Sequence, residues 1–162
     1  MKTEILFPEV ANLCGDLMNV TYLRQCCPEM EVVETGLKDR PAFLDGGVDL
    51  VYVGSATERG LQLMVKALAP YRAELERYVD GGGLMLATGN ALDALGEYVV
   101  IDGKRAFDGL GILKTHAEYH MMKRHNSFLL GSFQDMEIVG FKSLFGHTYP
   151  DDELANPLFR VE

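Results

Sequence analysis

The sequence predicts an α/β sandwich on a mostly parallel sheet, and three observations carry that expectation. The run Asp49-Leu50-Val51-Tyr52-Val53-Gly54 is almost continuously apolar and is bounded by Gly46-Gly47 and Gly54-Ser55, the pattern of a strand buried on both faces. Strand and helix patterns follow one another in the order β-α-β-β-α-α-β-turn-α, which favours right-handed crossovers over a shared sheet. Residues 84–96 then run as a short apolar strand through Gly89 into a helix, the form of a nucleophile elbow. Its tip offers only Thr88, Gly89 and Asn90.

Taken in order, Glu4-Ile5-Leu6-Phe7 reads as a strand stopped by Pro8, and Asn12-Leu13-Cys14-Gly15-Asp16 supplies turn chemistry with Asp16 as the expected N-cap. Met18, Val20, Tyr22, Leu23, Cys26 and Cys27 give a mostly apolar helix that ends near Pro28, because proline disfavours helical geometry in the residue before it. Val32-Val33 begins the next strand. After the run at 49–54, Leu61, Met64, Val65 and Leu68 share one helix face, and Leu75, Tyr78 and Val79 share the face of a second helix with Pro70 at its first position. Asp80-Gly81-Gly82-Gly83 ends that helix and Leu84 to Ala87 returns to the sheet. Beyond Gly96 the chain is β-rich: Tyr98-Val99-Val100-Ile101 and Arg105-Ala106-Phe107 flank the turn Asp102-Gly103-Lys104, and two further strands follow over 128–133 and 136–141. With no linker and no internal repeat, residues 1–162 read as one domain.

Composition narrows the function. The chain has 162 residues, 48% of them hydrophobic, and 24 acidic against 15 basic residues give a net charge of −9. That charge disfavours nucleic acid and anionic membrane surfaces as partners. No apolar run approaches the roughly 20 residues that span a bilayer, and the N-terminus lacks the apolar core of a signal peptide, so a cytoplasmic location is expected. Cys14, Cys26 and Cys27 are an odd number without metal-ligand spacing, which points to buried or half-buried free thiols and away from a disulfide framework or zinc site. No cofactor is expected.

Five blocks, in order, carry a resemblance to a known family. Asn12-Leu13-Cys14-Gly15-Asp16-Leu17-Met18-Asn19 is similar to "N-L-Y-G-D-R-G-N"; residues 49–59 to a strand with a "G-G-G-Q-D-R" loop; residues 82–96 to the elbow "L-A-V-C-G-G-Y-Q-L-L-G"; Asp108-Gly109-Leu110-Gly111-Ile112-Leu113 to "E-G-L-G-I-L"; and residues 140–149 to "G-F-E-N-H-G-G-R-T-Y". The chain thus resembles class I glutamine amidotransferase domains of the cobyric acid synthase type, and among them the glutaminase subunits of lipid II isoglutaminyl synthases. The resemblance implies a flavodoxin-like three-layer sandwich. It also implies an elbow cysteine that attacks the glutamine amide, a later histidine as base, and backbone N–H groups of the Gly-rich loop that hold the oxyanion.

Set on this sequence, the elbow cysteine falls on Gly89 and the two glycines after it on Asn90 and Ala91, while the loop glycines become Gly54, Ser55 and Ala56. The family's histidine falls beyond Glu162, since residues 157–162 match a segment upstream of it. The expectation is an amidotransferase-like domain with a degenerate active site and no catalytic residue. It would bind a small amino-acid-like ligand through Gly54, Ser55, Ala56, Thr57, Glu58, Thr88, Gly89, Asn90 and Asp93, and serve a Mur-ligase-like synthetase subunit in cell-wall (lipid II) or cobyric acid-type amidation. The alternative is an active glutaminase whose nucleophile comes from elsewhere, such as Cys14; Thr88 is expected to point towards the sheet. His116 and His120, at i and i+4, would share a helix face and suit a metal, but their neighbourhood reads better as a solvated, mildly basic loop. Asp93 reads as a solvated helix-face carboxylate.

Overall fold

The computed structural model of the chain describes residues 1–150 and 160–161. β1 (Lys2–Leu6), β2 (Glu31–Thr35), β3 (Leu50–Val53) and β4 (Leu84–Ala87) form a parallel sheet in the order β2-β1-β3-β4. The chain steps to one side of β1 for β2 and to the other for β3, so the carboxyl ends of β1 and β3 flank a switch point, where open α/β sheets place their ligands. β3 is buried throughout, as its unbroken apolar run demands. β4, at the edge, exposes Leu84 and Leu86.

The sheet is covered on both faces. α1 (Met18–Cys26) packs Val20 against Ile5, Tyr52 and Met30 on one side. On the other, α2 (Glu58–Leu68), α3 (Arg72–Asp80) and α4 (Ala91–Leu95) bury Leu61, Met64, Leu68, Leu75 and Leu95 with Leu6, Val51 and Val53. These are the three layers of a flavodoxin-like sandwich. A buried carboxylate pins its outer strand: Glu4 accepts hydrogen bonds from Thr35 Oγ1 (2.6 Å) and from the N–H groups of Ala42 (2.6 Å) and Phe43 (2.7 Å).

The β-rich half continues with β5 (Tyr98–Ile101), β6 (Lys104–Asp108), β7 (Thr115–Tyr119) and the long hairpin β8 (His125–Phe133) and β9 (Met136–Leu144). β10 (Gly146–Pro150) returns to β7, giving a second sheet in the order β10-β7-β5-β6, and β11 (Arg160–Val161) pairs with β8. The β5–β6 turn has φ +48 at Asp102 and +78 at Gly103, the left-handed pair that an Asp-Gly turn favours.

Several expectations are corrected. The N-cap position of α1 is Leu17, because the Asp16 carboxylate is engaged elsewhere. Pro70 lies in a one-turn 3-10 segment, Ala69–Tyr71, and α3 begins at Arg72. All three cysteines are exposed: Cys14 lies in the 3-10 turn Leu13–Gly15, and α1 buries only Val20 while turning Met18, Tyr22 and Cys26 outward. The stretch around His116 is a strand, not a loop: β7 lies between β5 and β10, and His116 stacks between the rings of Tyr98 (5.0 Å) and Tyr149 (5.5 Å). Residues 157–159, part of the segment read as lying upstream of the family's histidine, are outside the described residues. Among the described residues no helix is long and apolar enough to cross a membrane.

Candidate functional site

Three strand ends meet above the switch point, and Asp16 ties them together. Its Oδ2 accepts the Ser55 N–H (2.7 Å), from the loop after β3, and the Thr88 hydroxyl (2.9 Å), from the elbow. The Tyr52 hydroxyl donates to the Asp16 carbonyl (2.7 Å) and lies 3.1 Å from Thr88 Oγ1. Burial would raise the Asp16 pKa, but the hydrogen bonds from Ser55 and Thr88 outweigh it and hold the carboxyl below its ordinary value. Leu13 N–H donates to the Ser55 carbonyl (2.9 Å), and the backbone of Ala11 passes so close to Gly54 that a Cβ there would collide with the Ala11 carbonyl. Gly54 is therefore a close-approach glycine. Between these anchors Cys14 adopts φ +59, uncommon for a residue with a side chain, and exposes its thiol.

The loop that would hold an oxyanion is occupied by its own neighbours. The Ser55 N–H is taken by Asp16, and the Ala56 N–H by Asn90 Oδ1 (2.9 Å), whose Nδ2 returns a bond to the Ala56 carbonyl (2.8 Å). Thr57 caps α2, its hydroxyl accepting the Gly60 N–H (3.1 Å). At the elbow, Gly89 has φ +55, and a Cβ built there would stand 2.7 Å from the Ser55 Cβ. The tip leaves no room for a side chain while residue 55 carries one.

The elbow helix α4 is only five residues long and is held from both ends of the β-rich half. Its last carbonyls accept N–H groups from the 108–113 block: Leu110 to Ala94, and Ile112 and Leu113 to Leu95 (each 2.9 Å). Arg72 fixes that block by donating to the carbonyls of Leu110 (2.6 Å) and Gly111 (2.9 Å). Asp93 is not solvated. It is buried and accepts from the Tyr119 hydroxyl (2.5 Å) and from Thr148 Oγ1 (2.6 Å). Burial raises its pKa, and these two bonds only partly oppose the rise; the Tyr119 phenol is pushed up as well, by burial first and then by the Asp93 charge. Gly146 permits the arrangement, because a Cβ there would press into the Tyr119 ring at 2.9 Å.

A cavity of about 520 Å³ opens over these groups, lined among others by Cys14, Ser55, Ala56, Glu58, Gly89, Asn90, Asp93, Arg124 and His147. Of the residues expected to contact a ligand, Ser55, Ala56, Glu58, Gly89, Asn90 and Asp93 share its wall. Gly54 and Thr88 do not line it, and Thr57 caps a helix. His147, whose place in the 140–149 block allows a polar contact to a ligand or partner, lines it too, and Tyr119, Arg124 and Thr148 join the wall without a local sequence signal. The His147 pKa is lowered by burial and by the neighbouring His125, Lys142 and His120, so its imidazole is neutral at pH 7. Among the described residues no group of three or more His, Cys, Asp or Glu side chains is placed to hold a metal ion.

No protein-family model matches the chain. It is 28% identical over 145 residues to the lipid II isoglutaminyl synthase (glutamine-hydrolyzing) subunit GatD of Staphylococcus aureus (strain N315), a match covering 86% of this chain. The chain spans 58% of that relative's length. A solved glutamine amidotransferase structure superposes with a TM-score of 0.60 at 14% identity, covering 97% of this chain and 79% of the other. The fold is that of a glutamine amidotransferase, and the sequence is amidotransferase-like.

Proposed function

We propose that residues 1–162 form one amidotransferase-like domain that binds a small amino-acid-like ligand in the crevice without hydrolysing glutamine, and so serves a partner synthetase. The observation that carries this reading is Gly89: the elbow tip has no side chain, and Ser55 fills the space in which one would begin. The loop amides of Ser55 and Ala56, engaged by Asp16 and Asn90, support it further, since hydrolysis needs donors free to meet a developing oxyanion. The relative's name as a subunit of a lipid II isoglutaminyl synthase supports a synthetase partner and a place in cell-wall amidation. Incubation with glutamine is expected to yield no ammonia above the rate of a heat-denatured control. Turnover that Asn90→Ala or Asp93→Asn abolishes would sink the proposal.

A second reading, an active glutaminase using Cys14, is favoured by one observation: the exposed Cys14 thiol and the neutral His147 imidazole line the same cavity. Labelling with a glutamine-like electrophile and peptide mapping separates the two. Modification of Cys14 that glutamine prevents favours catalysis; an unmodified Cys14 removes its nucleophile.

A further inference from the structure

Among the described residues the sheet edges are unequal, and one of them lacks the usual protections. β2 ends its sheet with Glu31 and Glu34, β6 carries Lys104, Arg105 and Asp108, β10 ends in Pro150, and β4 is only four residues long. Charges, proline and short length are the usual protections of an open edge. β9 has none of them to a comparable degree. It runs nine residues, pairs with β8 without a register shift, and carries only Glu137 and Lys142 as charges and no proline. Among the described residues β8 is its only neighbour. On one face of the hairpin the register sets Phe128 opposite Phe141 and Leu130 opposite Val139, with the two rings 5.3 Å apart. All four are exposed, Phe128 by 82% and Val139 by 74%.

We propose that β9 pairs antiparallel with β9 of a second copy of this chain, about a two-fold axis through Gly140. The register follows from the strand itself. A two-fold perpendicular to the sheet keeps like faces together, and Gly140 is the midpoint of Met136–Leu144, so centring there pairs the full length. Val139 then lies opposite Phe141 of the second copy, and the reverse. The exposed row Phe128-Phe141 continues into Val139-Leu130 of the other hairpin, apolar against apolar, while Glu137 meets Ser143 instead of a like charge. Shifting the register by two residues towards Val139 would set Phe141 against Glu137 instead. A strand of this length is ~30 Å long, and a contact that narrow buries less than the ~800 Å² per partner of a standard interface. The dimer is accordingly weak. It does not depend on whether the crevice turns over glutamine.

Sedimentation of the full chain from ~5 to ~300 μM tests the pairing. The weight-average mass is expected to rise from 18.0 kDa towards twice that value, whereas Val139→Lys/Phe141→Lys stays at 18.0 kDa throughout and Leu86→Lys, on the β4 edge, follows the unmodified chain. A chain that remains monomeric across the range overturns the proposal, as does a dimer lost in Leu86→Lys but kept in the double lysine variant. Should that variant fail to fold, amide exchange in the unmodified protein decides: protection over 136–144 that grows with concentration supports the pairing, and unchanged protection refutes it.

Discussion

Replacing Gly89 by alanine reads the elbow's geometry without adding a reactive group. In the left-handed region, at φ +55, a Cβ costs about 1–2 kcal/mol. The same atom would stand 2.7 Å from the Ser55 Cβ, an overlap relieved by shifts costing about 1–3 kcal/mol. Gly89→Ala therefore lowers the unfolding free energy by about 2–5 kcal/mol, which in a chain of this size is roughly 2–4 °C of melting temperature per kcal/mol. Ser55→Gly alone loses the bond from Ser55 Oγ to the Leu13 carbonyl (3.1 Å) and some backbone restriction, together about 1–2 kcal/mol. In the double variant the overlap disappears and only the φ cost remains. The two changes are thus coupled by about 1–3 kcal/mol in the favourable direction, measured by urea unfolding of the four proteins followed by circular dichroism. Additivity within about 0.5 kcal/mol would refute the mutual exclusion of side chains at 55 and 89.

Other outcomes follow from the buried and half-buried carboxyls. Because the folded pKa of Asp93 is raised, its contribution to stability is fully present below the unfolded value of about 3.9 and is lost as pH rises through the folded value. Asp93→Asn is therefore expected to gain stability relative to the unmodified protein between pH 4 and pH 7, read from urea midpoints at each pH; a gap that does not change with pH contradicts the assignment. Asp16 has the opposite sign: its folded pKa is lowered, so its contribution is present above about 3.9 and lost as pH falls through the folded value. Asp16→Asn costs about 1–3 kcal/mol at pH 7 and the deficit closes in acid. Glu4→Ala leaves three donors without their acceptor and is expected to cost about 3 kcal/mol or more, in thermal melts monitored against Glu4→Gln.

How far the fold is legible in the sequence depends on where the deciding partner lies. β3 announces itself because burial on both faces leaves a continuous apolar run, and the β5–β6 turn because Asp102-Gly103 meets a purely local demand for positive φ. β7 and β10 do not. His116 becomes a strand residue through Tyr98 and Tyr149, and the pairing of β7 with β10 joins segments that share no local signature. The same holds in the site. Asp16 is an acceptor of N–H groups, as an N-cap reading requires, but its donor comes from Ser55, 39 residues on, and not from the helix that follows it. Asp93 reads as a solvated helix carboxylate until Tyr119 and Thr148 arrive from 26 and 55 residues away. The exposed Cys26 shows the converse, since apolar residues along α1 suggest a core face that the sheet accepts only at Val20 and, in part, Leu23.

The departures at positions 55, 89 and 90 act on one another rather than separately. Ser55 takes the space a nucleophile's Cβ would need, which makes glycine the fitting residue at 89. Asn90, directly after the elbow, clasps both the N–H and the carbonyl of Ala56, and Asp16 holds the Ser55 N–H and Thr88 from the other side. Two of these contacts engage loop N–H groups, those of Ser55 and Ala56, and together they tie the loop after β3 to the elbow. A loop fixed at both amides loses little further freedom when a ligand enters, so these contacts lower the ordering cost of binding. On the proposed reading this is how the crevice would serve a binding subunit, and a cysteine placed at 89 alone would set a thiol above a loop whose Ser55 and Ala56 amides are engaged elsewhere.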